Sequence, residues 1–327
     1  MPIFLSEGKM NLESNSSGGG GTATFQGCDL QKPAEPILSL KGVRVKRWRN
    51  QILDLPQEES VDIFLGDTVG LIGENGAGKT TLINCIVGKM AYQGSIERNF
   101  SIRDFGVQFQ SNDYDPPVKV KELVEAVCQQ SASNPELKAG LKEFELEKLL
   151  AKKVKKLSGG ERKRLTLFLA VFKKPKLLIL DEPTSALDYQ KRRKILHTLK
   201  VAMDKKTVLI STHYYDDIED WANKILILDK GRKVFFGTTG ELEERYPLCS
   251  LIRIPMEARG KVDFKNLKVI ELDDEVNLGV VMQSEKEEDD FLSLCREAKI
   301  PVHREEKLYG IYVLALNEFR EKEQEKR

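Results

Sequence analysis

Eight consecutive residues, Gly73-Glu74-Asn75-Gly76-Ala77-Gly78-Lys79-Thr80, constrain this chain more than any other feature. They have the form G-x-x-x-x-G-K-T, follow directly on the apolar strand pattern TVGLIG, and open into the helical pattern Thr81-Leu82-Ile83-Asn84-Cys85-Ile86-Val87. Glycines let the backbone curl until successive amides point inward at phosphate oxygens, and the helix that follows adds its positive end. Lys79 is then placed to reach the β- and γ-phosphates of a nucleotide, and the Thr80 hydroxyl to meet a Mg²⁺ ion. A glycine-rich turn that merely joins strand to helix is the alternative, and the Lys-Thr pair in this context argues against it.

A strand–loop–helix unit of this kind belongs in a parallel sheet covered on both faces. The rest of the chain agrees. From Ile37 to Gly237, short β-rich runs alternate with longer helical stretches. ILSLKGVRV, SVDIFL, DFGVQF, KLLILD, TVLIST and KILILD read as further strands, the central ones almost continuously apolar. The expected fold is a phosphate-loop α/β domain at 36–240 with a mostly parallel core sheet, an antiparallel β subdomain and a helical subdomain near 111–165. Before it, residues 1–35 carry SNSSGGGGTATFQG, a Ser/Gly-rich run that reads as a flexible leader. After it, residues 241–327 read as a small α+β domain in the order β-β-β-α-β, closing on the apolar run KLYGIYVLAL. The mixed-charge end EFREKEQEKR reads as a solvated helix end.

Composition removes several classes of function. Lys and Arg total 52 against 51 Asp and Glu, so no net field draws the molecule to nucleic acid or to an anionic membrane. No apolar run approaches the roughly 20 residues of a membrane-spanning helix, and the N-terminus lacks the order of a secretory signal. A chain that does not cross the membrane by itself and resides in the cytoplasm is expected. The five cysteines, Cys28, Cys85, Cys128, Cys249 and Cys295, are too scattered for a zinc site or a disulfide framework and read as reduced.

Two carboxylates and one imidazole converge on the same sheet edge. The strand Leu177-Leu178-Ile179-Leu180 ends in Asp181-Glu182, and in a parallel sheet that end opens on the crevice holding the phosphate loop. Asp181 is suited to hold Mg²⁺ through its water shell and Glu182 to polarise an attacking water. The next strand runs into Ser211-Thr212-His213, which brings a histidine to the γ-phosphate position. His197 and His303 read as surface residues. Leu157-Ser158-Gly159-Gly160-Glu161 opens a helix, with Ser158 as N-cap and two glycines that allow a ligand to come close.

This last segment, 24 residues before Glu182, closely resembles the signature motif of ABC ATPases. The resemblance extends over residues 37–240 in the family's order. Residues Gly73 to Thr81 resemble Walker A, Gln110 in FGVQFQ the Q-loop glutamine, LSGGE the signature and LLILDE Walker B. SALD, ending at Asp188, resembles the D-loop, and His213 the switch histidine. Trp48 resembles the aromatic that stacks on adenine.

The resemblance implies a site completed by a second subunit. In the family, two such domains face each other and each ATP lies between the Walker A of one and the signature of the other. ATP hydrolysis with Mg²⁺ held by Thr80, Gln110 and Asp181 is implied, with Lys79, Glu182 and His213 as the catalytic set. The partners implied are ATP, a second copy or a related ATPase subunit, and a separate transmembrane permease that holds the chain peripherally on the inner face of the membrane. The segment SNDYDPPVKVKELV would line the groove for a short permease helix. The last domain resembles the C-terminal accessory domain of bacterial ABC-2 exporter subunits, although such exporters usually read TSGLD where this chain has TSALD. A soluble ABC ATPase acting on nucleic acid or the ribosome is the competing reading; no long coiled coil, zinc insertion, duplicated ATPase domain or net basic charge favours it, and no nucleic-acid partner is expected. A kinase or GTPase is a third, against which LSGGE and His213 argue.

Overall fold

A computed structural model describes residues 35–48, 50–110, 117–185, 189–203, 206–219, 221–264, 267–272 and 276–326. The expected leader up to residue 34, the first six residues of the expected groove-lining segment, 111–116, and Ala186, Leu187 and Asp188 of the expected D-loop lie outside the described residues.

The first strands form an antiparallel layer. β1 (Leu38–Arg47) pairs with β2 (Asn50–Asp54), β3 (Val61–Ile63) and β5 (Gln93–Arg98). Its alternating burial, with Val43 and Val45 inside and Arg44 and Lys46 outside, is that of a strand with one wet face. The parallel core consists of β4 (Thr68–Ile72), β6 (Phe105–Gln108), β7 (Leu177–Asp181), β8 (Val208–Thr212) and β9 (Lys224–Asp229). These pair in the order β9-β4-β8-β7-β6, all parallel. β10 (Arg232–Thr238) returns antiparallel to β9 and touches β2 through Arg232 and Asp54, so both layers belong to one ten-stranded sheet. Every residue of β7 and β8 is buried, which is why their sequences show no polar alternation.

Helices cover this core. α1 (Lys79–Ile86) leaves the phosphate loop. α2 (Val120–Cys128) and α3 (Pro135–Glu143) form the helical part with α4 (Gly159–Phe172). Asn134 caps α3 through Glu136 and Leu137, and Pro135 occupies the first turn, where its missing N–H costs nothing. Phe168 of α4 stacks on Phe172 with ring centroids 4.4 Å apart and meets Phe144 edge to face at 5.7 Å. α5 (Tyr189–Ala202), α6 (Asp216–Glu219) and α7 (Thr239–Arg245) complete this part, α7 closed by a reciprocal Thr238–Glu241 capping box.

A second sheet, ordered β12-β13-β11-β14, follows: β11 (Ser250–Pro255), β12 (Lys268–Glu271), β13 (Asn277–Met282) and β14 (His303–Arg304). α8 (Glu285–Glu297) packs Phe291 and Cys295 against Ile252, Leu278 and Val280 on one face.

One expectation fails here. KLYGIYVLAL is not a strand but the start of α9 (Lys307–Glu325). Residues 310–316 are buried without interruption, so no 3.6-residue alternation survives in the sequence. The helix lies between Leu251 and Val281 of the small sheet and Ile225 and Phe235 of the large one, all within a shared core. Gly310 sits where a Cβ would come within 2.4 Å of Leu248, which lets α9 approach β11 closely. The charged end is not merely solvated either, because Arg320 and Glu323 pair with Asp229 and Arg232. Residues 35–327 therefore form one compact unit.

Candidate nucleotide site

The loop from Gly73 to Gly78 leaves the buried end of β4 and turns directly into α1. Gly76 and Gly78 have φ of 85° and 100°, the left-handed region in which a side chain is strained. Gly73 is required by space: a Cβ there would stand 2.5 Å from the Leu228 carbonyl. Glu74 and Asn75 cross the loop's outer side, and Ala77 is buried beneath it, its carbonyl accepting from the Gly231 N–H at 3.0 Å. Thr81 follows on the first turn of α1.

Lys79 is buried, with Nζ donating to the carbonyls of Gly73 at 2.6 Å and Glu74 at 3.1 Å and lying 3.9 Å from Glu182 Oε1. Burial lowers its pKa, against the pull of Glu182, Asp181 and Glu74. The ammonium is thus held inside the loop, at the place where phosphate charge would compensate it.

β7 delivers the two carboxylates. Asp181 is fully buried; Thr80 Oγ1 donates to its Oδ2 at 2.9 Å, and Ser211 donates to its Oδ1. Burial raises its pKa, opposed by those two hydroxyl donors. Glu182 adopts φ of 48°, a left-handed conformation for a residue with a side chain. Both ends of the strained residue are fastened. Its N–H donates to the Ser211 carbonyl and hydroxyl, each at 3.1 Å, and its carbonyl accepts from Lys163 Nζ, also at 3.1 Å.

Gln110 and His213 converge on the same carboxylate. Gln110 Nε2 donates to Glu182 Oε2 at 2.9 Å, and His213 Nδ1 lies 3.6 Å from Glu182 Oε1. The imidazole leans on Tyr214 at 4.1 Å, and Tyr214 receives the Arg192 guanidinium at 3.8 Å. Arg192 in turn pairs with the buried Asp217, which also accepts from Thr184 at 2.6 Å. Gly73 to Thr80, Gln110, Asp181, Glu182 and His213 therefore form one site.

The other expected residues stand elsewhere. Ser158 caps α4 and forms a reciprocal box with Glu161, whose carboxylate also holds Lys152 at 2.9 Å. Leu157 is buried, whereas Ser158 and Gly159 are exposed. A methyl group added to Gly159 or Gly160 would meet no atom within 4 Å, so the packing of this subunit does not explain either glycine. Trp48 follows directly on β1, 95% exposed and with φ of 59°. His197 and His303 are exposed, as expected. Ser211, Lys163 and Asp217 were not anticipated. Only Ser211 carried a local signal, its place at the end of a buried strand beside His213.

The residues suit a magnesium nucleotide. Mg²⁺ takes oxygen donors and retains much of its water, so one carboxylate and one hydroxyl, already adjacent in Asp181 and Thr80, are sufficient protein ligands. Among the described residues there is no cluster of three or more His, Cys, Asp or Glu side chains that would suit a transition metal.

Comparison with known proteins gives concordant likenesses. A family model described as ABC transporter matches residues 22–185. The Nod factor export ATP-binding protein I of Ralstonia nicotianae is 30% identical over 67% of this chain and 72% of its own length. Among solved structures, one titled as the ATP-binding subunit of an ABC transporter superposes with a TM-score of 0.56 at 24% identity, covering 64% of this chain and 93% of that one. Another, cbiO1 of Clostridium perfringens, described as part of the transporter complex cbiONQ, gives 0.52 at 23% identity over 64% and 91%. At these identities the two structures speak for the fold.

Proposed function

This chain belongs to the ABC transporter family as an ATP-binding subunit, and from that premise we propose that it is the motor of an exporter, working as a pair of ATPase subunits on a separate membrane permease. The reading rests on one observation. Walker A, Gln110, Asp181, Glu182 and His213 meet at one sheet edge, while the signature glycines Gly159 and Gly160 face open space.

That arrangement is half of a site. The α4 N-terminus offers backbone N–H groups and partial positive charge, which suit the γ-phosphate of an ATP held by a second copy or a related subunit. Within one subunit, Lys79 and the loop amides bind the phosphates, Trp48 stacks on adenine, and Asp188 closes the interface. Glu182 accepts the proton of the attacking water, and His213 and Gln110 hold Glu182 in place. Thr80, Asp181 and Gln110 would hold Mg²⁺, which would supply neutralisation of the phosphate charge. ATP favours the closed pair because only that state makes both sets of phosphate contacts, and hydrolysis removes the difference.

A permease helix would dock in the groove beside Gln110. This hollow of about 850 Å³ is lined by Val87, Phe109, Leu123, Val127 and Leu169, with Lys89 lying over the Phe109 ring. An apolar floor with two cations, Lys89 and Lys173, suits an amphipathic helix end. No helix among the described residues is long and apolar enough to cross a membrane, so translocation needs that other chain. Export is supported by the name of the Ralstonia relative, and docking holds this subunit at the inner membrane face. The small sheet with α8 and α9, at 241–327, serves as an accessory domain.

The test is Glu182→Gln. The variant is expected to bind ATP with unchanged affinity, to lose turnover, and to accumulate as an ATP-bound dimer in size-exclusion chromatography. A variant turning over at the wild-type rate would show that Glu182 is not the base.

A further inference from the structure

α9 reaches the nucleotide site at two points. Its N-terminal half meets the segment that follows His213: the Tyr309 and Tyr312 rings lie 5.2 and 5.1 Å from that of Tyr215, and the Leu308 N–H donates to Glu219 Oε1 at 3.3 Å. Its C-terminal half meets the phosphate loop. Arg320 donates from Nε and Nη2 to the two oxygens of Asp229 at 3.2 and 3.0 Å, and Nη2 lies 3.5 Å from Glu74 Oε1.

Asp229 ends β9, and the turn after it braces the loop, since the Gly231 N–H bonds the Ala77 carbonyl at 3.0 Å. Arg232, the first residue beyond that turn, pairs with Glu323 and places its guanidinium 5.5 Å from the Phe319 ring. Burial, and then the neighbouring Tyr312, push the Tyr215 phenol far above its ordinary pKa.

We propose that α9 is a positioning element of the hydrolytic site: Arg320 fixes the phosphate loop through Glu74 and Asp229, and Tyr312 fixes the His213 segment through Tyr215. Neither residue touches substrate. A bidentate guanidinium is well suited to such a task, because its planar fork sets direction as well as distance. The helix thereby gives the C-terminal segment a direct hold on both nucleotide-sensing loops. This goes beyond a role in transport and depends only on ATP binding and hydrolysis.

The two contacts predict different kinetic defects. Loosening the phosphate loop weakens binding of nucleotide in the ground state, so the full-length Arg320→Gln chain is expected to lose about fivefold in ATP affinity while kcat stays within about twofold. Arg320→Lys, which retains one ion pair, is expected to fall between the two. Tyr312→Leu removes the ring that packs on Tyr215 at 5.1 Å; kcat should drop about fivefold with affinity unchanged. Affinity is read by equilibrium titration with a fluorescent ATP analogue, turnover by phosphate release, and folding by the thermal midpoint.

The proposal is overturned if Arg320→Gln binds the analogue as wild type does, or if both variants lose affinity and turnover only in proportion to their folded fraction. Should the wild-type chain bind ATP without hydrolysing it alone, the motor reading is what suffers. The affinity titration, which needs neither turnover nor a partner, then still decides for or against the hold on the phosphate loop.

Discussion

Lys163→Met isolates the device that keeps the catalytic carboxylate in an unfavourable backbone conformation. Lys163 lies on the second turn of the signature helix, and its Nζ donates to Glu182 O at 3.1 Å, Ser185 O at 2.7 Å and Ser185 Oγ at 3.0 Å. A left-handed conformation at a residue with a side chain costs about 1–3 kcal/mol and persists only where the surroundings over-determine it. Here Lys163 and Ser185 secure the carbonyl side of Glu182 and Ser211 the amide side. Methionine retains the length and the apolar stem but takes the donor from the Ser185 carbonyl, at about 1–2 kcal/mol in a half-buried setting, while the Glu182 carbonyl keeps the Ser185 hydroxyl at 3.0 Å and N–H at 3.2 Å.

Part of that loss is offset by no longer burying an ammonium. Burial pushes the Lys163 pKa down to about 8, with Glu182 partly opposing the fall. The net destabilisation at neutral pH is therefore about 1 kcal/mol. A displacement of the carboxylate by about 1 Å costs on the order of 100-fold in kcat. The sign of the pH effect follows from the depressed pKa. Between pH 8 and the ordinary value of 10.5 the unfolded chain binds more protons at this position than the folded one, so wild-type stability gains from Lys163 as pH rises through that window. The methionine variant lacks this gain, and the gap between the two proteins widens with pH.

Urea unfolding at pH 7, 8 and 10, combined with steady-state hydrolysis, measures all three quantities. Equal stability at pH 7 together with kcat within twofold would refute the pinning argument. A variant that keeps the full wild-type pH dependence would refute the charge assignment.

Other perturbations separate the remaining parts of the structure. Lys79→Ala removes the buried cation of the loop and is expected to weaken nucleotide binding by the monomer, whereas Ser158→Arg should leave monomer binding intact and block ATP-dependent dimerisation; equal loss of monomer binding in both would contradict a shared site. Phe168→Ala empties a fully buried position between Phe144 and Phe172 and should cost about 3–5 kcal/mol in chemical denaturation, with less than 1 kcal/mol locating the packing elsewhere. The thiols of Cys85 and Cys128, pushed up to about 11 by burial, should resist alkylation at pH 8 in the native protein and react on unfolding. Rapid native modification of both would show that the helices carrying them open freely.

Features that depend on a short stretch of backbone were legible in the sequence. The phosphate loop, the acidic end of β7, the Ser158 cap and the apolar core strands follow from local rules: glycine at positive φ, a side chain capping the amides of its own helix, and continuous hydrophobicity in a strand buried on both faces. The order of these motifs was enough to bring Thr80, Asp181, Glu182 and His213 to one edge, because a parallel sheet places its strand ends there.

Features that depend on which surfaces meet were decided by tertiary structure. KLYGIYVLAL became a helix because it is packed between two sheets and so lost the periodicity that marks helices with one wet face. Lys163 and Arg320 look like ordinary surface cations in the chain, one in a run of basic residues and the other in a charged tail. Their partners, Glu182 and Asp229, are 19 and 91 residues away in sequence, and only the packing of α4 and α9 against the core brings them within hydrogen-bonding distance.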